Sequence, residues 1–217
     1  MYVQILDVKK KMTIYIDEVG RWPLAGPVYV WLVMTTENAS LLGYRDSKKC
    51  TPKLREILYQ KISTDKNIQR ATAKCSHSFI DTKWISTAIH IAIIMGLEKL
   101  LSKHTKKGSV GIKDMIKHIG PKNIQLVLDG NHDFKIRNTL WIAVETIIKG
   151  DDKIPQIAMA SIVAKVERDA EMVKYHKKYP AYLFDQHKWY GTLCHRQAII
   201  KHGPCKIHRK TFLTRII

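Results

Sequence analysis

Met12-Thr13-Ile14-Tyr15-Ile16-Asp17-Glu18-Val19-Gly20-Arg21-Trp22-Pro23-Leu24-Ala25-Gly26-Pro27 is the stretch that decides the fold. Met12 to Ile16 reads as a buried strand. Two carboxylates follow at its end. Such a pair is costly in an apolar setting, so it asks for a metal ion or a basic partner. Adjacent residues of a regular strand point to opposite faces, so Asp17 and Glu18 share a site only if the strand twists or ends between them. Gly20 is consistent with that break. A second apolar, β-branched run from Val28 to Thr35, reached through Gly26-Pro27, predicts a hairpin.

Outward from the hairpin, Thr51-Pro52 predicts a helix to about Ile62, with Thr51 as N-cap and Pro52 in the first turn. Ile68 to Ser78 alternates as a third strand. Ile85, Ala88, Ile89, Ala92, Ile93, Gly96, Leu97 and Leu100 keep helical spacing within a predicted helix from Asp81 to Leu101. Lys103 to Lys122 is lysine-rich and broken by glycines, and reads as a mobile connection with a short helix around Lys113 to His118. Ile124 to Asn131 is a strand running into Asp129. Ile142 to Ile148 is another, closed by Lys149-Gly150-Asp151-Asp152. Helices follow over Gln156 to Lys178, ended by Tyr179-Pro180, and over Cys194 to His202, ended by Gly203-Pro204. The order fits an α/β fold, a mixed sheet with helices on its faces.

A chain of 217 residues can bury one good core with a small appendage. No run of about 18 apolar residues occurs, and the first residues lack a secretory pattern, so the expectation is a cytoplasmic protein with no membrane contact. The formal net charge of +18 is large and self-repelling, and nucleic acid is the polyanion that best offsets it. Cys50, Cys75, Cys194 and Cys205 form no CxxC pair. Cys194-His195 and Cys205-x-x-His208 match no common zinc spacing, so reduced structural thiols are expected.

Acids end apolar strands three times: Asp17-Glu18, Asp129 and Asp151. Neighbouring strand ends meet in a sheet, and four carboxylates meeting there cannot all ionise without cations among them. Two divalent ions roughly 4 Å apart answer that need, and hard cations take oxygen ligands without His or Cys. Each acid also has an ordinary reading, as a turn residue at Asp129-Gly130 or a helix N-terminal charge at Asp151 or Asp152. The coincidence of three favours the metal site. Physical reasoning alone leaves Asp151 and Asp152 competing for one role.

Several segments together resemble the ribonuclease HII family: Asp17-Glu18-Val19-Gly20-Arg21 through Pro27; Asp46-Ser47-Lys48-Lys49; Asp129-Gly130-Asn131; Lys149-Gly150-Asp151 with Ala160-Ser161-Ile162-Val163-Ala164-Lys165-Val166-Glu167-Arg168-Asp169; His187-Lys188-Trp189-Tyr190-Gly191-Thr192; and His208-Arg209-Lys210-Thr211-Phe212. The resemblance runs from about Thr13 to Phe212. It implies a ribonuclease H-like catalytic domain over 1–178 and a small C-terminal helical substrate-binding extension over 179–217. It chooses Asp151 over Asp152 and implies that Asp17, Glu18, Asp129 and Asp151 are the catalytic residues and hold Mg²⁺ or Mn²⁺. For substrate binding it implies Gly20, Arg21, Trp22, Lys48, Lys49, Ser161, Lys165, Arg168, Lys188 and Tyr190. The lysines suit phosphates. Lys165 and Arg168, at i and i+3, share a helix face that could track a backbone or meet solvent. Tyr190 offers a plane to stack on a sugar, and the Gly20-Arg21-Trp22 backbone would meet the ribose 2′-hydroxyl. The implied reaction is hydrolysis of the RNA strand of RNA–DNA hybrids and of the bond 5′ to a ribonucleotide in duplex DNA, leaving a 3′-hydroxyl and a 5′-phosphate. A monomer is the simpler expectation.

Trp22 and Trp189 stand where the family pattern has glycine, and Trp84 where glycine is common; Trp31 and Trp141 are weaker cases. A UGA codon read as glycine in the source lineage would account for them. If the tryptophans are real, a hybrid-binding module with impaired catalysis is the alternative, beside a DNA-cutting nuclease of the same broad fold.

Overall fold

The protein is described by a computed structural model covering residues 11–44, 47–105, 111–214 and 216. Asp46 and the side chain of Lys48 lie outside the described residues, as does part of the lysine-rich connection.

Among the described residues, five strands form one sheet: β1 (Met12–Val19), β2 (Val28–Thr35), β3 (Ile68–Cys75), β4 (Ile124–Asp129) and β5 (Ala143–Ile147), in the order β3-β2-β1-β4-β5. The predicted hairpin is present: β1 and β2 are antiparallel, with Asp17 opposite Trp31 and Glu18 opposite Val30. β3 adds antiparallel to β2. β4 and β5 run parallel to β1, which sends the C-terminal ends of β1, β4 and β5 to the same edge of the molecule. In mixed sheets of this kind, those ends are where sites form.

One face of the sheet is covered by α3 (Ile85–Leu101), α4 (Ile112–Ile119) and α5 (Ile136–Leu140). Ala88, Ile89, Ala92, Ile93, Leu97, Leu100 and Leu101 of α3 are buried on Ile14, Ile16, Val30 and Leu32 of the strands. Full burial of each Ile or Leu is worth about 1.5–3 kcal/mol. Gly96 lets the helix sit close, because a Cβ there would lie 2.2 Å from Leu32 Cδ1. By length and composition, α3 with the Ser102–His104 turn could cross a bilayer; here its apolar side lies on the sheet. The opposite face carries α1 (Pro52–Thr64) and α7 (Pro155–Lys178), packed on Tyr29, Trp31 and Val33. Thr51 caps α1 as predicted, its Oγ1 accepting from the Leu54 N–H at 3.2 Å.

Two boundaries and the burial of one helix differ from the sequence reading. β3 stops at Cys75 because Ser76 caps a separate helix, α2 (His77–Lys83), through Phe79 N–H. The single helix expected over 81–101 is broken at Trp84, whose φ is +67°. The short helix expected around Lys113 to His118 is present as α4, but its Ile112, Met115, Ile116 and Ile119 are buried in the core rather than lying in a mobile connection. Spacing of i, i+3, i+4 and i+7 explains it.

A third apolar cluster lies at one end. It joins α8 (Phe184–His187), α9 (Leu193–His202) and α10 (Lys210–Leu213) to Leu24, Ala25 and Met172. The loop after β1 is therefore built into the C-terminal segment: Leu24 N–H donates to Trp189 O, Gly26 N–H to Ile207 O, and Arg209 N–H to Leu24 O.

Candidate active site

β1 does not end at its acids. It runs on through Val19, so Asp17 and Glu18 leave on opposite faces, and the expected break between them is absent. Asp17 faces the side of Trp31 and α7; Glu18 faces the side of Val30 and α3. The end of the neighbouring strand lies near both: Asp129 also acts electrostatically on Glu18. The β1–β4 ladder stops at Ile16–Leu128, so Asp17 and Asp129 are each one residue past its last pair. Leu128 belongs to the α3 face, which puts Asp129 on Asp17's side.

Asp129 pairs with Ile147 of β5, and its Oδ1 accepts from the Gly150 N–H at 2.7 Å. That bond ties β4's last residue to the start of α6 (Gly150–Lys153), whose next residue, Asp151, is buried. Asp152 is exposed and ion-paired with Lys49. The two acids that spacing left competing thus differ in burial and in this ion pair.

Glu18 shows the electrostatic condition of the place. Burial pushes its pKa up to about 7; Arg21, with Nη1 3.8 Å from Oε1, opposes the shift, and Asp129 adds to it. A divalent cation would remove the cause, since it favours the charged form. Among the described residues no three acids, histidines or cysteines stand at ligand spacing. A cation would have to draw the carboxylates inward. The donor set, all oxygen, from β1, the end of β4 and α6, fits a hard divalent ion.

The loop beside the acids is held from behind. Gly20 has φ +88°, and a Cβ there would meet Pro27 O at 2.9 Å, so glycine is required. Arg21 lies over the rings of Trp22 and Phe134, at 5.0 and 5.6 Å. Trp22 is 69% exposed. Underneath, the buried Arg209 guanidinium donates to Gly20 O (2.6 Å), Arg21 O (3.1 Å), Gly26 O (2.9 Å) and Pro27 O (3.1 Å). Burial, then the nearby Arg168, pulls the Arg209 pKa down to about 9.

The substrate-side candidates divide. Tyr190 is 43% exposed, with the Arg168 guanidinium 5.4 Å behind its ring, so it is available as a platform. Lys49 lies on the rim. Ser161 is buried and hydrogen-bonds Ser47 at 2.9 Å, anchoring the segment before α1 to α7. Arg168 is a correction: it is 2% exposed and donates to Lys188 O at 2.8 Å, so it supports the loop under Tyr190 and does not track a phosphate backbone. Lys165 is paired with Asp169 at 2.9 Å, so the two do not form a shared phosphate-tracking face. Lys188 turns back onto Asp185 O.

Arg209 and a histidine relay were missed in the sequence. Cys205 N–H donates to His208 Nδ1 (2.9 Å), His208 and His195 share an Nε2–Nε2 hydrogen bond (3.0 Å), and His195 Nδ1 meets Tyr190 O (2.8 Å). The pattern fixes both tautomers: His208 donates from Nε2, and His195 donates from Nδ1. Burial lowers both pKa values to about 4. The His-Lys-x-Tyr and His-Arg motifs were visible, but not that they face each other. All four cysteines are free, as expected of structural thiols.

A family model for Ribonuclease HII matches residues 14–215. The chain belongs to the ribonuclease HII family. It is 39% identical over 202 residues to Ribonuclease HII of Caldicellulosiruptor bescii, covering 93% of this chain and 86% of that protein. It is 38% identical over 197 residues to Ribonuclease HII of Endomicrobium trichonymphae, covering 91% and 83%. In fold it is similar to the ribonuclease H2 of Pyrococcus horikoshii, with TM-score 0.68, 21% identity and coverage of 94% and 96%. It is also similar in fold to the RNase HII in a PCNA complex from Archaeoglobus fulgidus, with TM-score 0.63, 24% identity and coverage of 92% and 94%. This ribonuclease HII chain is a metal-dependent endoribonuclease with the mixed, helix-flanked sheet that its sequence predicts.

Proposed function

We propose that the chain cuts the RNA strand of RNA–DNA hybrids and the phosphodiester bond 5′ to a single ribonucleotide in duplex DNA, as a monomer in the cytoplasm. The observation that supports this is the placement of Asp17 and Glu18 on β1, Asp129 at the end of β4 and Asp151 in α6 along one edge of the sheet, next to the Gly20-Arg21-Trp22 loop. Mg²⁺ or Mn²⁺ held by these four acids would lower the pKa of the attacking water and stabilise the departing 3′-oxygen. The chain's own groups do the rest. Asp129, oriented by Gly150 N–H, and Glu18, destabilised as an anion by burial, supply negative charge that is useful only when a cation is present. The loop backbone at Gly20 and Arg21 presents groups to the ribose 2′-hydroxyl, which distinguishes RNA from DNA. Tyr190 stacks on the sugar after the ribonucleotide. The charge of +18 attracts the duplex.

Water adds across the P–O3′ bond, giving a 3′-hydroxyl and a 5′-phosphate. The test is an end-labelled DNA duplex with one ribonucleotide, incubated with Mg²⁺ or Mn²⁺ beside an all-DNA control. One cut on the 5′ side of the ribonucleotide and an intact control are expected. Salt-sensitive binding without any cut in either metal would replace this reading with a binding module blocked by the exposed Trp22.

A further inference from the structure

We propose that Arg209 is a positioning residue for ribose recognition, acting through the carbonyls of the loop after β1. This rests on the nuclease reading above. Four carbonyls, those of Gly20, Arg21, Gly26 and Pro27, converge on one guanidinium that is 0% exposed. No carboxylate pairs with it among the bonds described; its donors are spent on the loop. Carbonyls that point inward to Arg209 leave the outer side of the same peptides to face the substrate. The C-terminal segment therefore sets the shape of the recognition loop from beneath, reinforced by the Ala25–His208 bridge. Lysine cannot replace the fork, because one ammonium has no planar set of donors for four separated oxygens.

The test compares the parent with Arg209→Lys on duplexes carrying a ribonucleotide or its 2′-deoxy counterpart at the cut position. Cleavage (kcat/KM) at the ribonucleotide should fall 10- to 100-fold, and the preference in binding for ribose over deoxyribose should shrink by a similar factor. Affinity for all-DNA duplex should change less than threefold. Thermal unfolding corrects for the folded fraction. Full activity and full discrimination in a folded Arg209→Lys would overturn the proposal, as would loss that only follows the folded fraction. A parent without any cleavage overturns the nuclease reading instead. Binding discrimination still tests Arg209 in that case.

The tryptophans carry a second, independent inference. Trp84, Trp141 and Trp189 have φ of +67°, +56° and +67°. Only a few per cent of non-glycine residues have positive φ, so three of five tryptophans by chance is on the order of one in a thousand. Trp84, at φ 67° and ψ 155°, is in a region that is essentially glycine-only. It and Trp141 close α2 and α5 at the helix end where glycine is favoured. Their side chains gain nothing, being 69% and 83% exposed. Trp189 is buried, yet its indole Nε1 has no hydrogen-bond partner. Trp31 shows none of these signs: it lies in β2, stacks on Tyr29 at 5.0 Å and donates to Glu167 at 3.0 Å.

We infer that positions 84, 141 and 189, and the exposed position 22 with them, are glycine in the protein made by its own host, encoded by UGA. The gene should read UGA at all four; UGG at 84, 141 or 189 overturns the inference. Trp84→Gly and Trp141→Gly, which open no cavity, should together raise Tm by several degrees, and Trp22→Gly should raise cleavage at least tenfold. An unchanged or lower Tm contradicts the backbone argument. Equal cleavage rates remove position 22 from the set.

Discussion

Glu18 and Arg209 are both buried ionisable groups near the loop after β1, and the fold treats them in opposite ways. Glu18 is desolvated and faces the charge of Asp129, opposed by Arg21 at 3.8 Å and by a backbone hydrogen bond. Arg209 is fully buried but has four carbonyls in hydrogen-bond reach. Around it, His195 and His208 are neutral and fully partnered. Glu18 is left poorly compensated, whereas Arg209 and the His195–His208 pair are hydrogen-bonded. Poorly compensated charge in a defined place is what a cation site requires. A hydrogen-bonded support is what holds a recognition loop still.

The largest effect should come from breaking the poorly compensated side. Asp129→Asn keeps an acceptor for Gly150 N–H but removes a charge, so cleavage should fall at least about 1,000-fold with little change in melting. Parent-like turnover would break the comparison at once.

Acid should break the hydrogen-bonded side. Both histidines have folded pKa values near 4 and unfolded values near 6.5. The unfolded chain therefore binds more protons between those limits, and stability from the neutral pair is lost as pH falls from about 6.5 towards 4. Protonating His195 also sets an N–H against the N–H of His208. Hydrogen exchange should show amides of 182–213 opening over that range before those of the sheet. Uniform protection down to pH 4 would mean the relay contributes nothing.

Smaller tests sharpen the same contrast. Asp81 accepts from Lys210 N–H, Thr211 N–H and Thr211 Oγ1, fastening α10 to α2. Asp81→Ala should cost about 1–3 kcal/mol in denaturant unfolding. Thr51→Ala, whose side chain caps α1, should cost about 1 kcal/mol as a lost helix cap and change cleavage far less than Asp129→Asn.

Much of this was legible in the sequence where a local rule governs. The hairpin followed from two apolar runs around Gly26-Pro27, and the start of α1 from Thr51-Pro52. The acids were visible as polar ends to apolar strands. Their grouping needed the register: the Ile16–Leu128 pair puts Asp17 beside Asp129, and burial of Asp151 with the Lys49 pairing of Asp152 distinguishes those two acids. α4 was readable from Ile112, Met115, Ile116 and Ile119, but its lysines drew the reading to solvent. Arg168 and Arg209 were not legible as buried groups. Their partners are carbonyls of Lys188 and of residues 20–27, and a sequence gives no sign of which carbonyls face inward.

The claim at the centre is that the four acids form one divalent-cation site. Mn²⁺ binding to the full chain, followed by calorimetry or electron paramagnetic resonance without substrate, tests it most directly. Saturable binding that weakens at least tenfold in Asp17→Asn and in Asp129→Asn is the predicted result. Binding that is indifferent to both substitutions would contradict it.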